Sequence, residues 1–169
     1  NDAEVSSTYE RMLQSARDAR PDARLEGVTL QRMYGHPAAL ELIVGAKQDA
    51  TFGAVLLVGA GGTTAELFQD RVLELPPLSD HLARRMLESL NSWPLLNGYR
   101  GAPALAIDRL VEVLLRFSQL IVDFPEITEL DINPLLVTPD EVVALDARVI
   151  VDRQLLSQSP ERHSHLAIR

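Results

Sequence analysis

Apolar side chains return every three or four positions near the start of the chain. Val5, Tyr9, Met12, Leu13 and Ala16 fall on one side of a helix over residues 3–20, and Pro21 lies just past its end. The pattern then shortens. Residues 27–33, 40–47 and 53–58 read as strands, the last two separated by the polar turn Gln48-Asp49-Ala50-Thr51. The glycine run Gly59-Ala60-Gly61-Gly62 follows, and residues 71–75 form a short strand that Pro76-Pro77 ends. Helical spacing resumes after Ser79, an N-cap, with Leu82, Met86, Leu87 and Leu90 on one face. Residues 95–101 read as a loop. A long helix opens at Ile107-Asp108, with Asp108 as its N-cap, and ends near Phe124-Pro125. Two further strands complete the chain before a polar tail. Hairpins dominate, so the expected class is α+β, an antiparallel sheet with helices packed on one face.

The last hairpin holds the densest candidate chemistry, in ELDINPLLVTPDEVVALDARVI over residues 129–150. Thr138-Pro139-Asp140-Glu141 is a turn signal. A turn centred between Pro139 and Asp140 sets Asn133 opposite Asp146 and Asp131 opposite Arg148. Directly opposed side chains have Cβ atoms roughly 4.5–5.5 Å apart, close enough to share a cation. Alternation sends Leu130, Ile132, Pro134 and Leu136, against Val143, Leu145, Ala147 and Val149, to an apolar face expected to be core. Carboxylates with an amide oxygen suit Mg²⁺, which shares its shell with phosphates and water. The same pattern fits solvated polar residues on the exposed side of a hairpin, and Pro134 can introduce a bulge that spoils the register.

Composition narrows the possibilities. With 169 residues the chain is long enough for one well-cored domain and short for two. No run approaches the ~18 uninterrupted apolar residues of a membrane span. The absence of cysteine excludes disulfides and thiolate metal sites and fits a cytoplasmic setting. A net charge of −8, from 16 basic and 24 acidic side chains, disfavours nucleic acid and anionic membrane as partners. Lys47 is the only lysine, so a phosphate-gripping lysine is Lys47 or lies outside this chain. The polar start at Asn1 without Met suggests a piece of a longer protein.

Other residues carry weaker signals. The glycine run joins a strand to a possible helix start at Thr63, where backbone N–H groups can meet an anion; on spacing alone a tight turn between sheet elements is the better reading, since the run has neither the Rossmann nor the P-loop pattern. Glu41 interrupts the apolar run Leu40 to Val44 and shares a face with Ile43 and Gly45, which leaves room for a ligand. Arg100, His36 and His81 read as surface or loop residues.

In this order, the motifs GVTLQRM at 27–33, ELIVG at 41–45, FGAVLLVGAGGTTAE at 52–66, LLNGYRG at 95–101, DFPEITELDINPL at 123–135 and VVALDAR at 142–148 resemble one family. It is the ATP-grasp domain of NDP-forming acyl-CoA synthetases, such as acetate–CoA ligase (ADP-forming) and the β subunit of succinate–CoA ligase. The resemblance covers residues 3–152 and implies an ATP-grasp C-terminal subdomain, with 153–169 as a linker. It implies Mg²⁺ ligands at Asn133 and Asp146, and an acidic residue beside a partner domain's phosphohistidine at Asp131. It also implies a carboxylate beside the nucleotide at Glu41, an adenine-contacting hinge at Gln31, Arg32 and Met33, and a phosphate-region loop at Gly61, Gly62 and Glu66. The loop after Gln31 is about two residues longer than the family's usual one.

The family reaction passes the ATP γ-phosphate to a histidine and then to the acid, giving an acyl phosphate that CoA attacks. By the resemblance, the first ATP-grasp subdomain, the phosphohistidine and the CoA site lie outside this chain, so it is not expected to be an enzyme alone. The tail Arg162-His163-Ser164-His165-Leu166-Ala167-Ile168-Arg169 resembles the junction into a GNAT-type acetyltransferase of bacterial fusion proteins. The resemblance thus leaves two readings open: a working ligase, or a ligand-sensing region controlling an acetyltransferase.

Overall fold

The computed structural model describes residues 1–62 and 69–157. The chain divides into two compact units, Asn1–Gly35 and His36–Arg169. The first contains α1 (Asp2–Ala19), opened by a reciprocal cap in which the Asn1 side chain accepts from the Glu4 N–H. Its apolar stripe, Val5, Tyr9 and Met12, is not buried; with Val28 and Leu30 it lines an open groove. The strand expected over residues 27–33 is absent. A strand needs a neighbour for its N–H and C=O groups, and no described strand pairs with this segment.

The second unit is built on one antiparallel sheet. β1 (Leu40–Asp49) and β2 (Gly53–Ala60) form the first hairpin, and β3 (Arg71–Glu74) pairs with β2. Asp49 closes the turn by accepting from the Thr51 and Phe52 N–H groups. These bonds, Phe52 first, hold its carboxyl below the usual aspartate value. β4 (Ile127–Val137) lies beside β1 and pairs with both β5 (Val142–Ala144) and β6 (Ala147–Val151), giving the order β3-β2-β1-β4-β5 with β6 also on β4.

Between β2 and β4 the chain forms α2 (Asp80–Glu88), the short α3 (Trp93–Leu96) and α4 (Ile107–Asp123). The Ser79 Oγ caps α2 by accepting from the Leu82 N–H. Asp108 does not cap α4. Its carboxylate instead accepts from Arg84, which also donates to Asp80, and so ties α4 to α2. Residues 95–96, expected in a loop, complete the one turn of α3 that Pro94 starts. α5 (Arg153–Ser157) is a short helix within the segment expected to be a linker.

The core lies on one side of the sheet. Leu42, Val44, Ala46, Leu56, Val58 and Leu130 meet helix residues including Met86, Leu87, Leu110, Leu114 and Phe117. Helical spacing at Leu110, Val111, Leu114, Phe117 and Ile121 gives α4 its buried stripe.

The expected core face of the last hairpin is only half right. Leu130 and Ile132 point to the core, but beyond Pro134 it is Leu135 and Val137 that do so, while Leu136 is buried outside that cluster. A β-bulge against β1, between the Leu42 and Val44 pairs, shifts the alternation by one. Val149, expected in the core, is 51% exposed because β6 is an edge strand beyond the helices' cluster.

Asp70 ties the sheet to the helical layer. It is 6% exposed, and its two carboxylate oxygens accept from the Asn91 and Ser92 N–H groups at 2.6 and 2.8 Å. Asp70→Ala orphans both donors, so it is expected to cost about 3 kcal/mol. In urea unfolding this appears as a lower midpoint with an unchanged slope.

Candidate functional site

The face of the sheet opposite the helices carries the polar residues singled out in the sequence. On β1, burial of Leu42, Val44 and Ala46 sends Glu41, Ile43, Gly45 and Lys47 outward. On β4, Leu130 and Ile132 turned to the core send Glu129, Asp131 and Asn133 outward.

The expected hairpin register holds along its length. Leu136 pairs with Val143, Ile132 with Ala147, and Asp131 with Arg148. Asn133 and Asp146 face each other, and the Asn133 N–H donates to the Asp146 carbonyl at 3.1 Å. The bulge at Pro134 falls on the β1 side and leaves this register intact. Both side chains are exposed. Asp146 Oδ1 accepts from the Ala147 N–H at 2.9 Å, which fixes the carboxylate against its own strand.

A hard cation suits this donor set, an amide oxygen and a carboxylate. Among the described residues no group of three or more His, Asp or Glu side chains is arranged to hold a metal. A cation at Asn133 and Asp146 therefore has to complete its shell from water and ligand oxygens, which is how Mg²⁺ is usually held beside phosphates.

A four-residue charge network borders this pair. Arg148 Nε donates to Asp131 Oδ2 at 3.4 Å, and its Nη2 donates to Glu129 Oε1. The other Glu129 oxygen lies 4.0 Å from Lys47 Nζ. Reading the sequence paired Arg148 with Asp131 but overlooked Glu129 and the network. The signal was present: Glu129 stands two residues before Asp131 on the same strand, so alternation alone puts both on one face.

The glycine run continues the β1–β2 ladder by one close rung. The Gly61 N–H donates to the Glu41 carbonyl at 2.7 Å, and a Cβ on Gly61 would sit 3.0 Å from the Glu41 carbonyl carbon and oxygen. Gly62 adopts φ +75, and a Cβ there would lie 3.4 Å from Glu41 Oε2. Glu41 and the two glycines are thus one structural group. Gly61 serves it by fitting against β1, since its N–H is committed to Glu41. Beyond it, Ile43, Leu57, Gly59, Ala60, Asp70 and Arg71 line an open cavity of about 390 Å³.

Gln31, Arg32 and Met33 belong to the first unit; Met33 is 92% exposed and the Arg32 guanidinium lies over the Tyr34 ring. Glu66 lies outside the described residues. Arg100 stacks over the Tyr99 ring. His36 Nδ1 accepts from the Ala38 N–H within a loop turn, and His81 is exposed.

Comparison with known proteins matches this architecture. The sequence model of a family described as the ATP-grasp domain matches residues 1–151. The chain is 34% identical over 151 residues to the Pyrococcus furiosus acetate–CoA ligase [ADP-forming] I subunit beta, a match covering 89% of this chain and 64% of that subunit. It is 38% identical over 137 residues to the 4-hydroxybutyrate–CoA ligase [ADP-forming] of Nitrosopumilus maritimus, covering 81% of this chain and 19% of the ligase. Among solved structures, Ca. Korarchaeum cryptofilum dinucleotide forming acetyl-coenzyme A synthetase 1, in complex with coenzyme A and Ca-AMPCP, superposes with a TM-score of 0.80 at 31% identity. That match covers 90% of this chain and 66% of the solved one. A second structure of that synthetase, with coenzyme A and Mg-AMPPCP and a phosphohistidine segment pointing towards the nucleotide binding site, gives a TM-score of 0.64 at 34% identity, covering 67% of this chain and 53% of the solved one. The chain thus spans just under two thirds of the Pyrococcus subunit and about a fifth of the Nitrosopumilus ligase.

The close approach of Gly61 to β1 is directly testable. Gly61→Ala is expected to lower stability by about 1–3 kcal/mol, because the contacts it crowds are backbone atoms that cannot turn aside. Gly35→Ala, with nothing within 4 Å of its Cβ, is expected to change stability by less than about 1 kcal/mol. Denaturant unfolding of the two variants separates them.

Proposed function

Because this chain belongs to the ATP-grasp domain family, we propose that it is the Mg²⁺-ATP/ADP-binding part of an NDP-forming acyl-CoA synthetase. The observation that carries this reading is the facing of Asn133 and Asp146 on the open side of the sheet, held by a backbone hydrogen bond between them. The Asn133 amide oxygen and the Asp146 carboxylate would hold Mg²⁺, which when bound neutralises charge on a phosphoryl group in transfer.

The other residues divide the work of binding. Glu41, fixed by Gly61 and bordered by Gly62, presents a carboxylate beside the nucleotide. Gln31, Arg32 and Met33 serve as the hinge to the base, largely through backbone groups, and Glu66 lines the phosphate region. Asp131 stands ready beside a phosphohistidine brought by another domain or subunit, which also carries the CoA site. The whole protein would convert an acid, ATP and CoA to acyl-CoA, ADP and phosphate, in the cytoplasm; the chain alone would not turn over. The Pyrococcus relative is named as a subunit, which supports a partner of this kind.

The tail sequence at 162–169 favours a second reading. There the region following 152 links to a GNAT-type acetyltransferase in a bacterial protein, and the nucleotide site serves regulation.

Calorimetry on the full-length protein tests the shared claim. Mg²⁺-ADP is expected to bind, and Asn133→Ala or Asp146→Ala to weaken that binding by more than about tenfold. Unchanged binding in both variants would sink the nucleotide-metal assignment. Release of ADP from ATP in the presence of an acid and CoA distinguishes the catalytic reading from the regulatory one.

A further inference from the structure

Resting on the Mg²⁺-nucleotide reading of Asn133 and Asp146, we propose that Arg148 makes cation binding at that pair conditional on the nucleotide, by neutralising the Asp131 carboxylate alongside it. Glu129, Asp131 and Asn133 follow one another along the outer face of β4, and Asp146 precedes Arg148 by two residues on the partner strand. Residues two apart on a strand are about 7 Å apart. The carboxylate of Asp131 therefore lies near enough to the Asn133–Asp146 pair to draw a cation towards it, while Glu129, two positions further along β4, anchors the guanidinium that faces Asp131.

Arg148 cancels that pull. Its guanidinium is held from two directions, by Glu129 through Nη2 and by Asp131 through Nε. On the other side of Asp131 stands Gly45, which has no side chain to compete. Arg148 is the only basic residue in an ion pair with Asp131 among the described residues. Lys47, Glu129, Asp131 and Arg148 together carry no net charge, so Asp146 is left as the one uncompensated carboxylate on the hairpin's outer face, with Glu41 further off on β1. One carboxylate and one amide make a poor site for a hydrated divalent ion, and phosphate oxygens have to supply the rest. The same neutrality removes the repulsion that Asp131 would otherwise exert on an arriving polyphosphate.

The experiment titrates the full-length protein with Mn²⁺, read by its paramagnetic resonance signal, with and without ADP. Arg148→Met is expected to bind Mn²⁺ without nucleotide about tenfold more tightly than the parent, the order of effect of one extra charge about 7 Å away near a surface. The mutual enhancement of Mn²⁺ and ADP binding is expected to fall in step. Arg148→Lys keeps the charge and is expected to behave as the parent. In the double variant Arg148→Met with Asp146→Ala the gain is expected to vanish, which locates it at the pair.

An unchanged Mn²⁺ affinity in Arg148→Met, with Mn²⁺-ADP binding still lost in Asn133→Ala, overturns the role of Arg148 and leaves the site reading standing. Mn²⁺-ADP binding unchanged in both Asn133→Ala and Asp146→Ala removes both. A gain in Arg148→Lys equal to that in Arg148→Met, or a gain that persists in the double variant, also overturns the proposal, because charge at this pair would then not be its cause.

Discussion

Three strands draw their hydrogen bonds from β4, and that sharing constrains nearly everything else in the second unit. β1 lies on one side of β4, and β5 and β6 follow each other along the other. A strand paired on both edges cannot rotate, so each residue's face is set by its position alone. With Leu130 and Ile132 held in the core, Glu129, Asp131 and Asn133 have no choice but the open side. The candidate site is in this sense a by-product of core packing: the hydrophobic face fixes where the carboxylates stand, and the hairpin register fixes what they meet.

The same logic explains why the helices sit where they do. They cover only the inner side, and the Arg84 link between Asp80 and Asp108 holds α2 and α4 together at the layer's outer edge. Asp70 is one of the polar residues in the interior, with Ser118, Glu126 and Thr138. It is buried, yet both of its oxygens meet backbone donors, and its carbonyl also accepts from the Ala60 N–H. A single residue thus binds the chain that leaves the glycine run both to β2 and to the turn between α2 and α3.

Much of this was legible from the residues. The spacing of Leu110, Leu114 and Phe117 located α4, Ser79 marked the start of α2, and the turn at Thr138 to Glu141 set Asn133 against Asp146. Local rules sufficed there, because hairpin register and helix period are local properties. What failed needed knowledge of neighbours. Residues 27–33 look like a strand by composition, but a strand depends on a pairing edge. Leu135 and Val137 replace Pro134 and Leu136 in the core because β1 forces a bulge, and β1 lies some ninety residues earlier in the chain. Asp108 looked like a cap until Arg84 offered it a charge. The ion pairs of Arg148 with Asp131 and Glu129 lie within one hairpin and were within reach of local rules; only the Lys47 link depends on the more distant β1.

The sheet's open face bears charge around β4, in the Lys47–Glu129–Arg148–Asp131 group and at Asp146, at Glu41 on β1, and at Arg71 on β3. Three strand spacings separate β4 from β3, roughly 14 Å, while ionic screening at physiological salt takes hold over about 8 Å. Each end of the face is therefore electrostatically deaf to the other. Substitutions around Arg71 can reshape the wall beside Ile43 and Leu57 without retuning the charges near Asp146, so two selective pressures can act on one sheet without interference.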